Sequence, residues 1–229
     1  MRPEHPPPAW GPFAVLLTIP VLTALLTEQA LQKLHPGATL HAALIVAAPD
    51  GAALLYYAAL ARIRVWPSLR DRFAPVPLGV VVMALAAALC LKALFVGLAE
   101  LASELGAAFP DPAPDPLLSS SLEDWAVIPA AILVAPFWEE LLFRGLLIDR
   151  LYRSLSVGGA VLVSSVAFAL VHDNQFALGL TGILLFAERF ALGAVAAVLA
   201  LRHRSLMPAF LFHAANNLIA ELASVLIPS

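Results

Sequence analysis

Charged residues are scarce in this chain of 229 residues, since Asp, Glu, Lys and Arg together make up only 13% of it. An ordinary soluble domain carries about a quarter. Hydrophobic residues reach 61%, and the mean hydropathy is +0.89. The net charge of -3 is spread along the chain without a basic run, which argues against a nucleic-acid partner. This composition predicts an integral membrane protein with membrane lipid as its surroundings.

Cysteine is also nearly absent, since Cys90 is the only one. A single cysteine excludes a disulfide framework and a thiolate metal site. Because Cys90 lies inside an apolar run, it is interpreted as a small buried hydrophobic residue. The chain also has no internal repeat, and no small-x-small cleavage site follows its first apolar run. The first apolar run is therefore interpreted as a retained membrane span and not as a signal peptide.

Apolar runs long enough to cross a bilayer recur along the chain, at roughly 20 residues per span. They predict an all-α, polytopic membrane helix bundle of about seven transmembrane helices. The predicted spans cover residues 12–31, 40–61, 76–98, 125–147, 157–171, 176–201 and 206–227.

Arginine is concentrated in some of the connections between these spans. It occurs after the second, fourth and sixth spans, whereas residues 102–124 contain five acidic residues and no Lys or Arg. By the positive-inside rule the arginine-bearing connections are cytoplasmic. Seven alternating spans put all three on one side, with the N-terminus in the cytoplasm. The compact chain and short connections favour a bacterial plasma (inner) membrane.

A proline-rich loop divides the chain. It begins Phe109-Pro-Asp-Pro-Ala-Pro-Asp-Pro, and proline at alternate positions prevents a helix there. The expected organisation is an N-terminal three-helix transmembrane part at 1–108, this loop at 109–124, and a four-helix core at 125–229. The core holds every cluster of residues that suggests chemistry.

Two carboxylates and a guanidinium interrupt the fourth span. Each charge at the centre of a membrane helix costs on the order of 2.5–3.5 kcal/mol. Glu140 and Arg144 are four residues apart and can pair on one helix face, an arrangement as typical of a structural lock as of a functional site. Glu139 points about 100° away from Glu140 around the helix axis, so Arg144 is less well placed to pair with it. An underpaired acid at this depth indicates a functional residue.

Polar side chains also occur in the fifth and seventh spans. His172 follows Phe168 by four residues, so the phenyl ring is expected to pack against the imidazole. His213 and Asn217 have the same spacing and share one face. Alone, His172 could be an interfacial residue, and His213 with Asn217 a polar face that holds helices together. Other charges in or beside the spans are interpreted as structural: Glu28, Asp50, Lys92, Glu100, Glu188 and Arg189.

A carboxylate, two imidazoles and a carboxamide in one pocket suit amide hydrolysis. The carboxylate can act as a general base on water, and the other groups can hold the water and donate to the oxyanion. Zinc is disfavoured because there is no His-Glu-x-x-His helix. A serine nucleophile is disfavoured because there is no Gly-x-Ser-x-Gly and no base adjacent to Ser164 or Ser165. We therefore expect no metal and no cofactor.

Three ordered elements carry a family resemblance: Glu139-Glu140-x-x-x-Arg144, Phe168-x-x-x-His172 and His213-x-x-x-Asn217. Together they resemble the CPBP family, the CAAX proteases and bacteriocin-processing enzymes also called the ABI family, which are glutamic-type intramembrane proteases. The resemblance covers about residues 125–220. It implies that Glu139 and His172 activate water, that His213 and Asn217 stabilise the oxyanion, and that Glu140 and Arg144 support them.

The expected function is therefore an intramembrane endopeptidase that hydrolyses a peptide bond of a membrane-anchored protein or peptide. The alternative is a non-catalytic immunity or scaffold protein of the same family, in which these polar groups only join helices. A transporter would also place charges at the mid-membrane, but its usual internal symmetry is missing from this sequence.

Overall fold

The computed structural model describes residues 11–12, 14–16, 18–19, 40–63, 66–109, 129–172 and 179–226. Within these ranges every regular element is helical. Nearly all of the first predicted span and of the proline-rich loop lie outside the described residues, as do Glu28 and the side chain of Asp50. The all-α prediction is thus confirmed for the described part of the chain.

Seven helical elements follow one another in these ranges. They are α1 (Leu40–Arg62), the short α2 (Leu69–Arg72), α3 (Leu78–Glu104), α4 (residues 130–151), α5 (Val157–His172), α6 (Leu180–His203) and α7 (Met207–Leu226). Helix α4 alternates between two geometries. Its segments are π-helical Ala130–Val134, α-helical Ala135–Glu140, π-helical Leu141–Leu147 and α-helical Ile148–Leu151.

Two helices, α3 and α6, are long and apolar enough to cross a membrane among the described residues, and α5 is apolar but shorter. Seven spans are therefore not confirmed. The apolar runs predict more uninterrupted apolar helices than the structure contains, because π segments interrupt α4 and polar residues are spread along α7. Helix α3 leaves apolar side chains such as Leu89 and Leu94 uncovered, which suits a lipid-facing surface and not a soluble core.

The position of Cys90 differs from the one that the sequence predicts. Its apolar surroundings predict a buried residue, but Cys90 is exposed on α3. A helix at the outside of a membrane bundle is apolar on its lipid-facing side too, so an apolar run does not show which residues are buried.

Helix α4 lies against α1, α5, α6 and α7, while α7 also packs on α3 and α6. Three phenylalanines join α4 and α7 to the segment after α2. Phe73 stacks on Phe137 of α4 at 4.1 Å between ring centroids, and Phe210 of α7 meets both rings edge-on. Lys92 of α3 pairs with Glu188 of α6 at 2.5 Å. These two charges therefore join two helices, in line with the structural role expected from the sequence.

The three arginine-bearing connections meet at one end of the bundle. Arg72 Nη2 lies 2.5 Å from Asp149 Oδ2 near the end of α4, and the Arg72 carbonyl accepts from the Leu206 amide at 2.8 Å. Ser205 Oγ donates to the Ala74 carbonyl at 2.7 Å. Burial opposes the charge of Arg72 more than any single neighbour favours it, but Asp149 and Tyr57 together hold the pKa of Arg72 above its ordinary value. The connections therefore share one side, as the sequence predicted.

Helices α5 and α6 approach closely at Gly193. A Cβ added there would lie 3.2 Å from both Arg144 Nη2 and Ser165 Cα. A Cβ at Gly97 of α3 would meet nothing within 4 Å. Both glycines lie in helices, where alanine is intrinsically better by about 1 kcal/mol.

We expect Gly193→Ala to destabilise the protein, because overpacking costs about 1–3 kcal/mol and here presses on backbone and on a buried guanidinium. Gly97→Ala, the matched control, gains helix propensity without a clash. Thermal unfolding in detergent micelles measures both. A midpoint for Gly193→Ala equal to or above that of Gly97→Ala would show that the contact is not tight.

Candidate active site

The two carboxylates lie where α4 changes geometry. Glu139 and Glu140 end an α-helical segment that has a π-helical turn on either side. The Ala135 amide bonds to the Ala130 carbonyl, and the Ile148 amide to that of Phe143, each across five residues. Such π segments insert an extra residue into the helix and occur often at functional sites. Here they set the direction in which both acids point.

Pro136 leaves one carbonyl of α4 without its helical donor. In the π register the partner of the Ala131 carbonyl is residue 136, and proline has no N–H. Asn217 of α7 supplies the missing donor, since its Nδ2 lies 3.1 Å from Ala131 O. Helix α7, the seventh predicted span, is therefore hydrogen-bonded to α4, the fourth, at a carbonyl that lacks its helical donor.

Glu139 lies between two imidazoles. Its Oε2 is 3.4 Å from His172 Nε2 of α5 and 3.7 Å from His213 Nε2 of α7. These separations are longer than direct hydrogen bonds. Glu139 Oε2 is itself buried, without a hydrogen-bond partner among the described residues. Side-chain exposures of 20% for Glu139 and 28% for His172 show that the cluster is reached from outside at this point.

Glu140 is fully buried and holds the other side of the cluster. Its Oε1 accepts from Arg144 Nη1 at 2.9 Å and pairs with His213 Nδ1 at 2.9 Å. The Glu140–Arg144 pair expected from the spacing is confirmed. The His213 ring thus lies between the two carboxylates, with Nδ1 bonded to Glu140 and Nε2 directed toward Glu139.

Hydrogen bonds fix how both imidazoles carry their protons. His172 Nδ1 lies 2.7 Å from the Phe168 carbonyl, which can only accept, so Nδ1 carries the proton. His213 Nδ1 likewise donates to the Glu140 carboxylate. In each neutral ring the Nε2 lone pair then faces Glu139 Oε2. When both rings are neutral, three acceptor atoms therefore converge on one point.

Phe168 packs against the whole cluster. Its ring is 4.3 Å from that of His172, which confirms the expected contact, and 5.5 Å from that of His213. The Arg144 guanidinium lies 4.4 Å from the same ring centroid, within the range of a cation–π contact. Fully buried, Phe168 fixes three of the polar groups at once.

The structure thus brings Glu139, Glu140, Arg144, His172 and His213 together, whereas the hydrogen bond of Asn217 goes from Nδ2 to the Ala131 carbonyl. No group of residues able to hold a metal is found in the described ranges. Sequence reasoning missed the Phe168–Arg144 contact and the room that Gly193 leaves for Arg144. The spacing of Phe168 from His172 was the available signal for the first.

The Ala131–Asn217 bond makes a stability prediction. We expect Asn217→Ala to cost about 1–3 kcal/mol, because a carbonyl away from water loses its donor. Pro136→Ala restores a backbone N–H in register with Ala131. It should therefore raise the unfolding midpoint of the Asn217→Ala variant more than it raises that of the parent. Equal gains in the two backgrounds, measured by thermal unfolding, would mean that Asn217 does not compensate for Pro136.

Comparison with known families gives one match. Residues 121–219 match the family described as type II CAAX prenyl endopeptidase Rce1-like. The match confirms the resemblance to CAAX proteases, and the matched region contains all seven residues named in the three sequence elements. No curated protein and no solved structure matches the chain. The C-terminal part of this apolar, helical chain is therefore similar to a family of proteases.

Proposed function

We propose that this protein is an intramembrane endopeptidase that uses a glutamate-activated water. The observation that carries the proposal is the position of Glu139 Oε2, 3.4 and 3.7 Å from the Nε2 atoms of His172 and His213. A buried carboxylate oxygen beside the Nε2 lone pair of His172 needs a shared proton donor, and water is the simplest one.

Water placed about 2.8 Å from both Glu139 Oε2 and His172 Nε2 donates a hydrogen bond to each. As its oxygen attacks the scissile carbonyl, Glu139 takes one proton as general base. The same proton then passes to the leaving amine as the C–N bond breaks. General-base assistance of this kind contributes roughly 10²–10⁴-fold. His172 holds the water because its own Nδ1 is anchored to the Phe168 carbonyl.

The oxyanion needs donors, and His213 and Asn217 are proposed for this role. His213 Nδ1 already donates to Glu140, so Nε2 donates only in the doubly protonated ring. Asn217 uses one amide hydrogen on Ala131 and keeps a second for the oxyanion.

Glu140 and Arg144 support this arrangement. Glu140 fixes the tautomer and direction of His213, while Arg144 balances the buried charge of Glu140. Their effect on the reaction passes through His213, so they are positioning residues.

The substrate class follows from the family match and from the apolar chain. The proposed substrate is a membrane-anchored protein or peptide, cut near its membrane segment. The proposed organisation keeps residues 1–108 as an N-terminal three-helix part that packs on the core, 109–124 as a loop and 125–229 as the catalytic core. The proposed orientation puts the N-terminus and the arginine-bearing end in the cytoplasm of a bacterial cell.

We expect Glu139→Gln to lower the rate of cleavage at least about 10²-fold while the unfolding midpoint stays near that of the parent, since the amide keeps the shape but is no base. The assay uses proteoliposomes with membrane-anchored peptides, a prenylated CAAX peptide among them, and mass spectrometry of the products. Glu100→Gln, on an accessible stretch of α3 away from the cluster, is the matched control.

Undiminished cleavage by Glu139→Gln would remove Glu139 from the mechanism. The non-catalytic immunity or scaffold alternative makes the opposite prediction. Under it, a biological effect of the protein survives when Glu139→Gln and His172→Ala are combined, provided that the doubly changed protein remains folded.

Cleavage is also expected to persist in EDTA, because the proposed roles are all filled by side chains and water. The measurement is the rate before and after dialysis against the chelator. A rate lost in EDTA and regained with zinc would contradict the water-activating role assigned to Glu139 and His172.

A further inference from the structure

Phe73 lies in the connection between α2 and α3, yet its ring packs against two helices of the C-terminal core. The residue is only 8% exposed. Its ring stacks on that of Phe137 of α4, with 4.1 Å between centroids and 16° between planes. It also meets Phe210 of α7 edge-on at 6.3 Å, and Phe137 and Phe210 contact each other at 5.7 Å. These three residues form a ring cluster that joins α4 to α7 through a residue of neither helix.

Backbone contacts hold Phe73 in this position from both sides. The carbonyl before it, of Arg72, accepts from the Leu206 amide at 2.8 Å. The carbonyl after it, of Ala74, accepts from Ser205 Oγ at 2.7 Å. Ser205 and Leu206 lie in the turn between α6 and α7, and both are buried. The backbone that carries the Phe73 ring is therefore fixed to the start of α7.

The ring cluster lies one helical turn from the carboxylate cluster along both helices. Phe137 precedes Glu140 by three residues on α4, and Phe210 precedes His213 by three residues on α7. Residues three apart are neighbours on the surface of a helix. Glu140 Oε1 and His213 Nδ1 are in turn 2.9 Å apart. The interface between α4 and α7 thus contains two neighbouring contacts, one aromatic and one charged.

Helix α4 depends on such packing for the direction of its acids. The α-helical segment Ala135–Glu140 has only six residues, and π segments adjoin it on both sides. A continuous α-helix therefore does not set the direction of Glu139. Phe137 lies inside this short segment, and its contacts with Phe73 and Phe210 fix the segment against α7. Aromatic pairs have preferred geometries, which a flexible side chain would not impose.

We propose that Phe73 is a positioning residue, through which the N-terminal part of the chain sets the distance between Glu139 and His213. This inference rests on the proposed peptidase function. Phe73 acts through Phe137 and Phe210, and it keeps Glu139 Oε2 and His213 Nε2 at their separation of 3.7 Å. A misplacement of about 1 Å at a catalytic site lowers the rate roughly 10²-fold, so a small shift of α4 against α7 matters. Phe73 also lies outside the region that matches the protease family.

Phe73→Leu and Trp66→Leu form the test pair. Trp66 is a buried aromatic residue that also lies between α1 and α3, but its ring contacts Tyr56 and Tyr57 of α1. Both changes remove part of a buried ring, so we expect both to lower the unfolding midpoint. Only Phe73→Leu is expected to lower kcat, by about tenfold, because only it lets α4 and α7 shift. Its KM should stay within about twofold of the parent value, since Phe73 affects the chemical step and not substrate binding.

Nuclear magnetic resonance of histidine-labelled protein in liposomes gives a reading that needs no cleavage. The Nδ1 proton of His213 is bonded to Glu140, and its resonance reports on that bond. His213→Gln assigns the signal. We expect Phe73→Leu to shift or broaden this resonance and Trp66→Leu to leave it unchanged. A parent protein that cleaves no peptide would contradict the proposed function, and the resonance would still test the role of Phe73.

Phe73→Tyr is the conservative variant, because it keeps the stacked ring, and its kcat and His213 resonance should stay near those of the parent. Where Phe73→Leu does not fold, Phe73→Met takes its place, since an unbranched side chain fills irregular space. An unchanged His213 resonance in the variant used would overturn the inference. Equal falls in kcat for Phe73→Leu and Trp66→Leu would also overturn it, as would a fall in Phe73→Tyr as large as that in Phe73→Leu.

Discussion

The buried Glu140 carboxylate is the contact on which the rest of the site depends. One oxygen receives both the Arg144 guanidinium and the His213 imidazole, each at 2.9 Å, from two different helices. Removing one partner of a buried charge pair typically costs about 3–5 kcal/mol, because the other charge is left uncompensated. Without Glu140, neither the direction of His213 nor the depth of Arg144 would be defined.

Helical irregularity is the second constraint. Two π segments flank the short α-helical stretch that carries the acids, and one of them leaves the Ala131 carbonyl opposite a proline. In a membrane such a carbonyl cannot turn to water, so another helix must supply the donor. Asn217 does so, and in doing so it holds α7 in the register that brings His213 to both carboxylates.

Part of this site could be predicted from spacing alone. Pairs four residues apart on one helix face interact, and Glu140–Arg144 and Phe168–His172 both follow that rule. The Asn217–Ala131 bond could not be predicted, because it depends on a π register that has no spacing of its own. The prediction that Cys90 is buried was wrong for a related reason. Lipid accepts apolar side chains as readily as a core does, so Cys90 lies outside although its surroundings in the sequence are apolar.

Arg144 is held in place by contacts from three helices. Its Nη1 bonds to Glu140 on the same helix, and its guanidinium lies 4.4 Å from the centroid of the Phe168 ring on α5. On α6, a Cβ at Gly193 would lie 3.2 Å from Nη2, so only glycine leaves this space to the guanidinium. Because the side chain has no exposed area, its charge is balanced by the protein and not by solvent. The electrostatic field at Glu140, and through it at His213, therefore depends on the packing of Phe168 and Gly193 around this arginine.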